Sequence, residues 1–212
     1  MKKREKINLV YDLLEAEYGP QVCALEHTTP LQLLVATILS AQCTDKMVNR
    51  VTVELFAKYR TAQDYAQAEP AELESIIRRC GYYRAKGVNI IGACKRIVSD
   101  FDGEVPDTME ELTALPGVGR KTANVVLGDA FGVPGLPVDT HVKRIANLLG
   151  IVDSDDPVKI ESELCANLDP RRWSQFSHLV IVHGRGICKA NRPACARCVL
   201  NKICKYGKKH VA

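Results

Sequence analysis

The spacing of apolar residues is the feature of this sequence that most restricts its fold. Apolar side chains recur every three or four positions almost throughout the chain, as in Leu31, Leu34, Val35, Ile38 and Leu39. That period places them on one face of an α-helix, and no alternating run or two-residue hairpin signal indicates a β-strand. The sequence therefore predicts an all-α fold of about ten helices.

Short polar and glycine-rich segments mark where these helices begin and end. Thr29 followed by Pro30 combines an N-cap residue with proline at the first helical position. Asp107, with Glu110 three residues later, has the spacing of a capping box. Four of the six residues in 132–137 are Gly or Pro, which favours a domain boundary there. We expect the amphipathic first 20 residues to pack back onto the C-terminal part.

Length, composition and the distribution of apolar residues indicate the domain size and the cellular compartment that we expect for the chain. Its 212 residues, 46% of them hydrophobic, are enough for the core of one large domain or two small lobes. No run of 18 apolar residues occurs, and the N-terminal residues from Lys2 to Lys6 are polar and do not lead into the apolar core of a signal peptide. These observations predict a cytoplasmic protein with neither a membrane span nor a signal peptide.

The positive charge is concentrated at the C-terminal end. Residues 186–212 contain seven Lys or Arg residues and no Asp or Glu, whereas the other 185 residues contain 22 basic and 25 acidic residues. This asymmetry indicates contact with a polyanion, although a solvated tail explains the charge equally well.

Four of the nine cysteines are crowded into 17 residues. Cys188, Cys195, Cys198 and Cys204 follow the spacing C-x6-C-x2-C-x5-C, while the other five are scattered and are expected to be core or incidental thiols. Four thiolates suit either tetrahedral zinc or an iron–sulfur cluster. Zinc sites more often pair two C-x2-C units, so the single pair here modestly favours iron.

A glycine-containing turn joins two predicted helices in the segment Leu115-Pro116-Gly117-Val118-Gly119-Arg120-Lys121-Thr122-Ala123. Glycines at this turn allow positive φ and close backbone approach. The N–H groups at the start of the following helix can then point at a phosphate oxygen. The pattern predicts a helix-hairpin-helix that binds phosphates, with an ordinary αα-hairpin as the alternative.

Lys121 and Asp139 are the candidate catalytic residues. Lys121 lies near a helix N-terminus, where the positive end of the helix dipole favours the neutral amine that a nucleophile requires. Asp139, in Pro137-Val138-Asp139-Thr140-His141, can accept a proton or stabilise positive charge. The alternatives are a phosphate-contacting or solvated lysine and a plain N-cap aspartate.

These features, in this order and spacing, resemble the endonuclease III family of bifunctional DNA glycosylases and abasic-site lyases. Further matching segments are 39–45 (LSAQCTD), 138–141 (VDTH) and 183–185 (HGR). The resemblance implies a helix-hairpin-helix lobe at 22–134 and a discontinuous iron–sulfur lobe at 1–21 plus 135–212, with a DNA cleft between them.

The resemblance also implies a role for each matching residue. Lys121 and Asp139 would be catalytic, and the four clustered cysteines would hold a [4Fe–4S] cluster. Gln42 would fill the gap left by an extruded nucleotide, and Tyr82, where the family usually has leucine, would press into the opposite strand. Packing of Tyr82 on the core is the alternative. The remaining DNA-contacting residues would be Gly117, Gly119, Arg120 and His141, and a monovalent cation would involve Thr113, Leu115 and Val118.

The expected function is base-excision repair of oxidised pyrimidines. A lysine Schiff base would form, and β-elimination would break the strand 3′ to the abasic site. The partner would be duplex DNA with damaged bases or abasic sites, and the protein would be a monomer at the nucleoid. One alternative is an adenine-removing glycosylase, which lacks the lysine and normally has another C-terminal domain. The other is a non-catalytic DNA-binding module with structural zinc.

Overall fold

The computed structural model describes residues 1–210, and over that range it is all-helical, which confirms the predicted fold class. The α-helices are α1 (Lys3–Tyr18), α2 (Pro30–Ser40), α3 (Asp45–Lys58), α4 (Ala62–Ala66), α5 (Pro70–Ile77), α6 (Tyr83–Asp100), α7 (Met109–Ala114), α8 (Arg120–Ala130), α9 (Thr140–Leu149), α10 (Pro157–Cys165), α11 (Trp173–Gly186) and α12 (Gly207–His210). Short 3-10 helices lie at Arg78–Cys80, Pro170–Arg172 and Cys195–Arg197. The sequence suggested about ten helices because α4 and α12 are too short for a repeating apolar period.

The chain divides into two compact units. The first, here called the continuous unit, is Cys23–Val133 and contains α2 to α8. The second, the discontinuous unit, combines Met1–Val22 with Pro134–Ala212 and contains α1 and α9 to α12.

Helix α2 forms the centre of the continuous unit. All seven residues from Leu33 to Leu39 are buried, so this helix is covered on every side. It packs against α3, α6 and α8. Thr37, the polar residue within this run, donates its hydroxyl to the Leu33 carbonyl at 2.7 Å, so burial leaves its hydrogen-bonding group satisfied.

Threonines cap several helices of the continuous unit. The predicted cap at Thr29 is confirmed, since its hydroxyl accepts the Gln32 N–H at 3.2 Å. The predicted cap at Asp107 is wrong by one residue. Thr108 caps α7, accepting the Glu111 N–H at 3.2 Å and donating to the Glu111 carboxylate at 2.6 Å. Asp107 with Glu110 and Thr108 with Glu111 have the same three-residue spacing, so the sequence pattern fits either residue as the cap. The structure shows two hydrogen bonds between Thr108 and Glu111, which makes Thr108 the cap.

The discontinuous unit is built around α11. Ile7, Val10 and Leu14 on α1 are fully buried in the core cluster that includes Leu179 of α11. Helix α11 packs against both α1 and α9. The Lys6 ammonium donates to the carbonyl of Leu149, the last residue of α9, so a cation caps the negative end of that helix.

Within residues 1–210, no helix is both long and apolar enough to span a bilayer.

Candidate functional site

The glycine turn predicted at 115–119 joins α7 to α8 as a helical hairpin. Gly117 has φ +75°, a backbone conformation that side chains rarely adopt. A Cβ atom at Gly117 would lie 2.7 Å from the Cβ of Asn89, so glycine is also required for space. Gly119, by contrast, has φ −94° and no atom within 4 Å of its Cβ position. The hairpin therefore needs Gly117 for its own conformation, whereas Gly119 leaves the approach to α8 open.

The N-terminus of α8 has no capping side chain. Gly119 is its N-cap and makes no side-chain hydrogen bond, whereas threonine hydroxyls accept first-turn N–H groups in α2, α3, α4 and α7. An anion can therefore occupy the place that a threonine hydroxyl takes elsewhere, favoured by the positive end of the helix dipole. This geometry is suited to binding a phosphate.

Lys121 is the second residue of α8, and its side chain is exposed next to this open helix end. Its ammonium is close enough to the Cys23 thiol to lower the pKa of that thiol, although burial dominates and raises the Cys23 pKa to about 11. Arg120, the first residue of α8, is exposed as well. The hairpin thus presents two basic side chains and the first-turn N–H groups on one helix end.

Asp139 belongs to the discontinuous unit, where it caps α9. Its Oδ1 accepts the N–H of Val142 at 2.8 Å, and its backbone carbonyl accepts the N–H of Lys143 at 2.9 Å. Asp139 is therefore an N-cap, as the structural alternative predicted. An N-cap bond engages one carboxylate oxygen and fixes the carboxylate at the start of the helix, so capping is compatible with a second, electrostatic role.

His141 packs closely against the backbone of α11. A Cβ atom at Gly184 would lie 2.5 Å from the His141 Nδ1, so the glycine of the His183-Gly184-Arg185 segment makes room for this ring. Burial lowers the pKa of His141, Asp139 raises it, and Arg144 and Arg185 lower it further.

The four clustered cysteines line one pocket of the discontinuous unit. Cys188, Cys195, Cys198 and Cys204 all border it, together with the ends of α9 and α11. Burial raises the pKa of Cys188, and it raises the pKa of Cys198 to about 11. Among residues 1–210, no three His, Cys, Asp or Glu side chains are placed to hold one metal ion directly. A cluster of several irons spaces its ligands around a shared volume, and a pocket bordered by four thiols fits such a group.

Hydrogen bonds support the sulfur atoms of this pocket. Arg144 donates to the Cys188 Sγ at 3.6 Å, and the backbone N–H of Leu200 donates to the Cys198 Sγ at 3.4 Å. The His183 Nε2 lies 3.4 Å from the Cys198 Sγ, and its Nδ1 lies 2.8 Å from the Tyr18 hydroxyl. Sequence reasoning missed Arg144 and Tyr18, which no spacing rule connects to the cysteines, and it gave His183 no role.

Gln42 and Tyr82 both lie in strained turns of the continuous unit. Gln42 has φ +52° and Tyr82 has φ +46°, and non-glycine residues in this region cost about 1–3 kcal/mol each. The Tyr82 residue is 69% exposed, so the core-packing alternative is wrong. Both side chains are presented to solvent from turns that the surrounding structure holds in an unfavourable conformation.

The residues predicted for a monovalent cation lie together in the α7–α8 hairpin. The Thr113 hydroxyl donates to the Met109 carbonyl at 2.7 Å, and the Leu115 carbonyl accepts the Val118 N–H at 3.1 Å. A carbonyl oxygen has two lone pairs, so the Leu115 bond leaves capacity for a second partner.

The basic residues of the C-terminal segment are all exposed. They are Lys189, Arg192, Arg197, Lys202, Lys205, Lys208 and Lys209. Five of them lie between Cys188 and Cys204 or next to Cys204 in the sequence, so the positive charge is concentrated in the segment that carries the four cysteines.

Comparison with known proteins identifies similar chains over nearly the whole length. A model described as HhH-GPD superfamily base excision DNA repair protein matches residues 35–170. An endonuclease III of Synechocystis sp. is 48% identical over 203 residues, covering 95% of this chain and 93% of the relative. An endonuclease III of Bacillus subtilis is 44% identical, covering 99% and 96%. A solved trapped endonuclease III–DNA covalent intermediate, an estranged-adenine complex, has a TM-score of 0.95 at 44% identity and 100% coverage of both chains.

We expect different effects from substituting the two hairpin glycines: one substitution should affect stability and the other DNA binding. Gly117→Ala should lower the free energy of unfolding by about 1 kcal/mol or more, because its φ is positive and its Cβ would meet Asn89. Gly119→Ala should leave stability nearly unchanged but weaken DNA binding, because the added methyl group stands at the open end of α8. Thermal denaturation and fluorescence anisotropy with a short duplex measure the two effects. Wild-type stability of Gly117→Ala would contradict the conformational requirement.

Proposed function

We propose that this chain, which belongs to the HhH-GPD superfamily of base excision DNA repair proteins and to the endonucleases III within it, removes oxidised pyrimidines from duplex DNA. The protein is a DNA glycosylase and abasic-site lyase. The observation that carries our assignment of its nucleophile is the exposed Lys121 amine at the uncapped N-terminus of α8.

In the proposed reaction, the neutral Lys121 amine attacks the sugar C1′ of the damaged nucleotide. The glycosidic bond breaks, and the base leaves with the electron pair and takes up a proton. The substituted amine loses a proton, and the sugar ring opens as the C1′–O4′ bond breaks, which gives a protonated Schiff base. This Schiff base acidifies the C2′ proton, whose loss breaks the C3′–O bond, expels the 3′ phosphate and breaks the strand. Water then releases the sugar from the lysine. The covalent intermediate of the similar endonuclease III supports a covalent step of this kind.

Asp139 is proposed to act on base release. Its carboxylate, held at the start of α9 by the bond to Val142, stabilises the positive charge that develops on the sugar or accepts a proton from the nucleophile. The N-cap bond limits the movement of the carboxylate, so its charge is preorganised.

DNA binding is proposed to use backbone donors and exposed basic side chains. The first-turn N–H groups of α8, with Gly117, Gly119 and Arg120, suit a phosphate of the damaged strand. His141 is a further proposed contact in the discontinuous unit. Gln42 is proposed to fill the gap left by the extruded nucleotide and Tyr82 to press into the opposite strand. The exposed basic residues of the C-terminal segment add attraction that does not depend on base sequence.

The cofactor is proposed to be a [4Fe–4S] cluster held by Cys188, Cys195, Cys198 and Cys204. The pocket that these four residues border, and the hydrogen bonds from Arg144 and Leu200 to two of their sulfur atoms, fit thiolate ligands of such a cluster. When bound, the cluster supplies a structural cross-link of the C-terminal loop. The lysine and the aspartate carry the chemistry.

We propose three further properties for this chain. Its partner is duplex DNA with a damaged base or an abasic site, and it acts as a monomer at the nucleoid in the cytoplasm. A monovalent cation held through Thr113, Leu115 and Val118 would link the hairpin to a phosphate. The proximity of these three residues in one hairpin supports the cation site.

The nucleophile is tested by borohydride trapping on a duplex with one abasic site. Lys121→Gln should reduce the covalent adduct to background while leaving DNA binding largely intact, because the α8 N–H groups remain in place. Lys46→Gln is the matched control, since Lys46 is also an exposed second residue of a helix in the same unit. An adduct that persists in Lys121→Gln would assign the nucleophile to another residue and contradict the proposal.

Replacing Asp139 with asparagine removes the negative charge but keeps an N-cap residue for α9. Asp139→Asn should slow base release by about 100-fold or more, as expected for the loss of a preorganised charge, with a smaller effect on cleavage of a preformed abasic site. Asp156→Asn is the control, because Asp156 caps α10 in the same way. Both variants should melt close to wild type, since asparagine is as good an N-cap as aspartate. Equal losses in both reaction steps would contradict the assigned role.

Metal analysis tests the cofactor. The purified protein should be brown and contain iron and acid-labile sulfide in equal amounts. Cys198→Ser should lose iron and become less soluble, whereas Cys165→Ser, in the same unit but outside the pocket, should retain iron. Stoichiometric zinc without sulfide would instead support a zinc site.

A further inference from the structure

A buried lysine of α6 connects two separate turns of the continuous unit. The Lys86 residue is 4% exposed, and its Nζ donates to the Leu39 carbonyl and to the Cys80 carbonyl, each at 2.8 Å. Burial lowers the pKa of this ammonium, and the thiols of Cys43 and Cys80 act in the opposite direction. A buried cation is costly unless it is hydrogen-bonded, so packing alone does not explain a lysine at this position.

Both carbonyls that Lys86 binds are left over at helix ends. The intrahelical partner of the Leu39 carbonyl would be the Cys43 N–H, which donates to the Ser40 carbonyl at 3.0 Å instead. The Cys80 carbonyl is the last of the 3-10 helix Arg78–Cys80. Helix C-termini carry partial negative charge, which makes an ammonium the suitable partner for both.

Each carbonyl lies just before one of the strained residues. Gln42 follows Leu39 by three positions, and Tyr82 follows Cys80 by two. The Tyr82 carbonyl accepts the backbone N–H of Lys86 at 3.0 Å as the first hydrogen bond of α6, so the Tyr82 turn is attached to the helix turn that carries the Lys86 side chain. Strained conformations persist only where the surrounding contacts hold them, and Lys86 supplies such contacts to both turns.

We propose that Lys86 is a positioning residue for base extrusion, which holds the Gln42 and Tyr82 turns at a fixed spacing so that both side chains enter the DNA together. This inference rests on the proposed function of Gln42 and Tyr82 as the residues that replace the extruded nucleotide and contact the opposite strand. Lys86 is buried and acts through these turns, without touching DNA itself.

Loss of the Lys86 ammonium should mainly affect substrates whose base must be extruded. Without the ammonium, the two turns move independently, and the arrangement with both side chains in place becomes less populated. Extrusion of a paired base requires that arrangement, whereas an abasic site has no base to unstack. A residue that only stabilised the fold would affect both reactions alike.

The experiment compares the two reactions in single turnover. Lys86→Met keeps an unbranched side chain and removes the ammonium, and Lys86→Gln keeps two N–H donors. Lys95→Met is the control, because Lys95 is an exposed lysine of the same helix. The readouts are base release from a duplex with a paired oxidised pyrimidine, cleavage of the same duplex with an abasic site, and 2-aminopurine fluorescence opposite the lesion. Borohydride trapping counts the active molecules.

Lys86→Met should slow base release from the paired lesion by about tenfold or more, the size expected when a charged hydrogen bond is lost. Cleavage at the abasic site should change much less, and the fluorescence rise on binding should be lost. Lys86→Gln should be intermediate, and Lys95→Met should behave as wild type. In a Tyr82→Ala background, Lys86→Met should add little further loss, because both changes disable the same step.

Two results for Lys86→Met would show that Lys86 is only structural. One is an equal fall in base release and abasic-site cleavage, and the other is a lower melting temperature with the wild-type ratio of these two rates. Gln42→Ala and Tyr82→Ala separate the two levels of the proposal. If neither changes the fluorescence, the proposed function of the pair fails. If both remove it while Lys86→Met retains it, only the role of Lys86 fails.

If Lys86→Met does not fold, Lys86→Gln and the wild-type protein decide the question. Amide hydrogen exchange in 40–43 and 80–83 of the free wild-type protein should be slower than in an unfolded peptide, because Lys86 holds both turns. Exchange at the unfolded rate in either turn would overturn the inference.

Discussion

An α-helix leaves its first four N–H groups and its last four carbonyls without intrahelical partners, and the structure of this protein depends on how those groups are satisfied. Threonine hydroxyls cap α2, α3, α4 and α7. Lysine ammoniums cap carbonyls at the ends of α2 and α9. Helices α5, α6, α8 and α11 have no side-chain cap at the N-terminus, and among these α8 has a glycine, Gly119, as its N-cap. The capped ends stabilise the fold, and the end of α8 is the one that we propose for a phosphate.

The proposed DNA-contacting turns combine strain with rigid support. Gln42 and Tyr82 have positive φ without being glycine, so each would relax if its turn were free. Both turns are attached to packed helices: Gln42 follows the fully covered α2, and Tyr82 precedes α6, which buries one face. Lys86 adds hydrogen bonds to a carbonyl of each turn. This arrangement allows exposed side chains to keep a defined position, which is what insertion into a base stack requires.

The cysteine pocket is supported from several parts of the discontinuous unit. Tyr18 of α1 contacts His183 of α11, and His183 contacts Cys198, so His183 links the first helix to a sulfur atom of the C-terminal segment. Arg144 of α9 donates to Cys188. A group bound by these thiolates would stabilise the unit, because it would cross-link Cys188, just after α11, to Cys195, Cys198 and Cys204 of the C-terminal segment.

The sequence by itself determined the helical fold class, the hairpin with its two glycines, and the grouping of four cysteines, because each depends on the spacing of neighbouring residues. It also placed Lys121 and Asp139 at helix starts, which follow from local capping and turn signals. The structure chose between local alternatives that the sequence left open, namely Thr108 instead of Asp107 as the cap of α7 and an N-cap bond at Asp139. Only the tertiary structure decided that Tyr82 is exposed. Only the tertiary structure showed that Lys86 donates to the Leu39 carbonyl, 47 residues away in the sequence. It also showed that Tyr18 contacts His183, which is 165 residues away. Such contacts join segments that are distant in the chain, and no local period or spacing encodes which buried groups will meet when the helices pack.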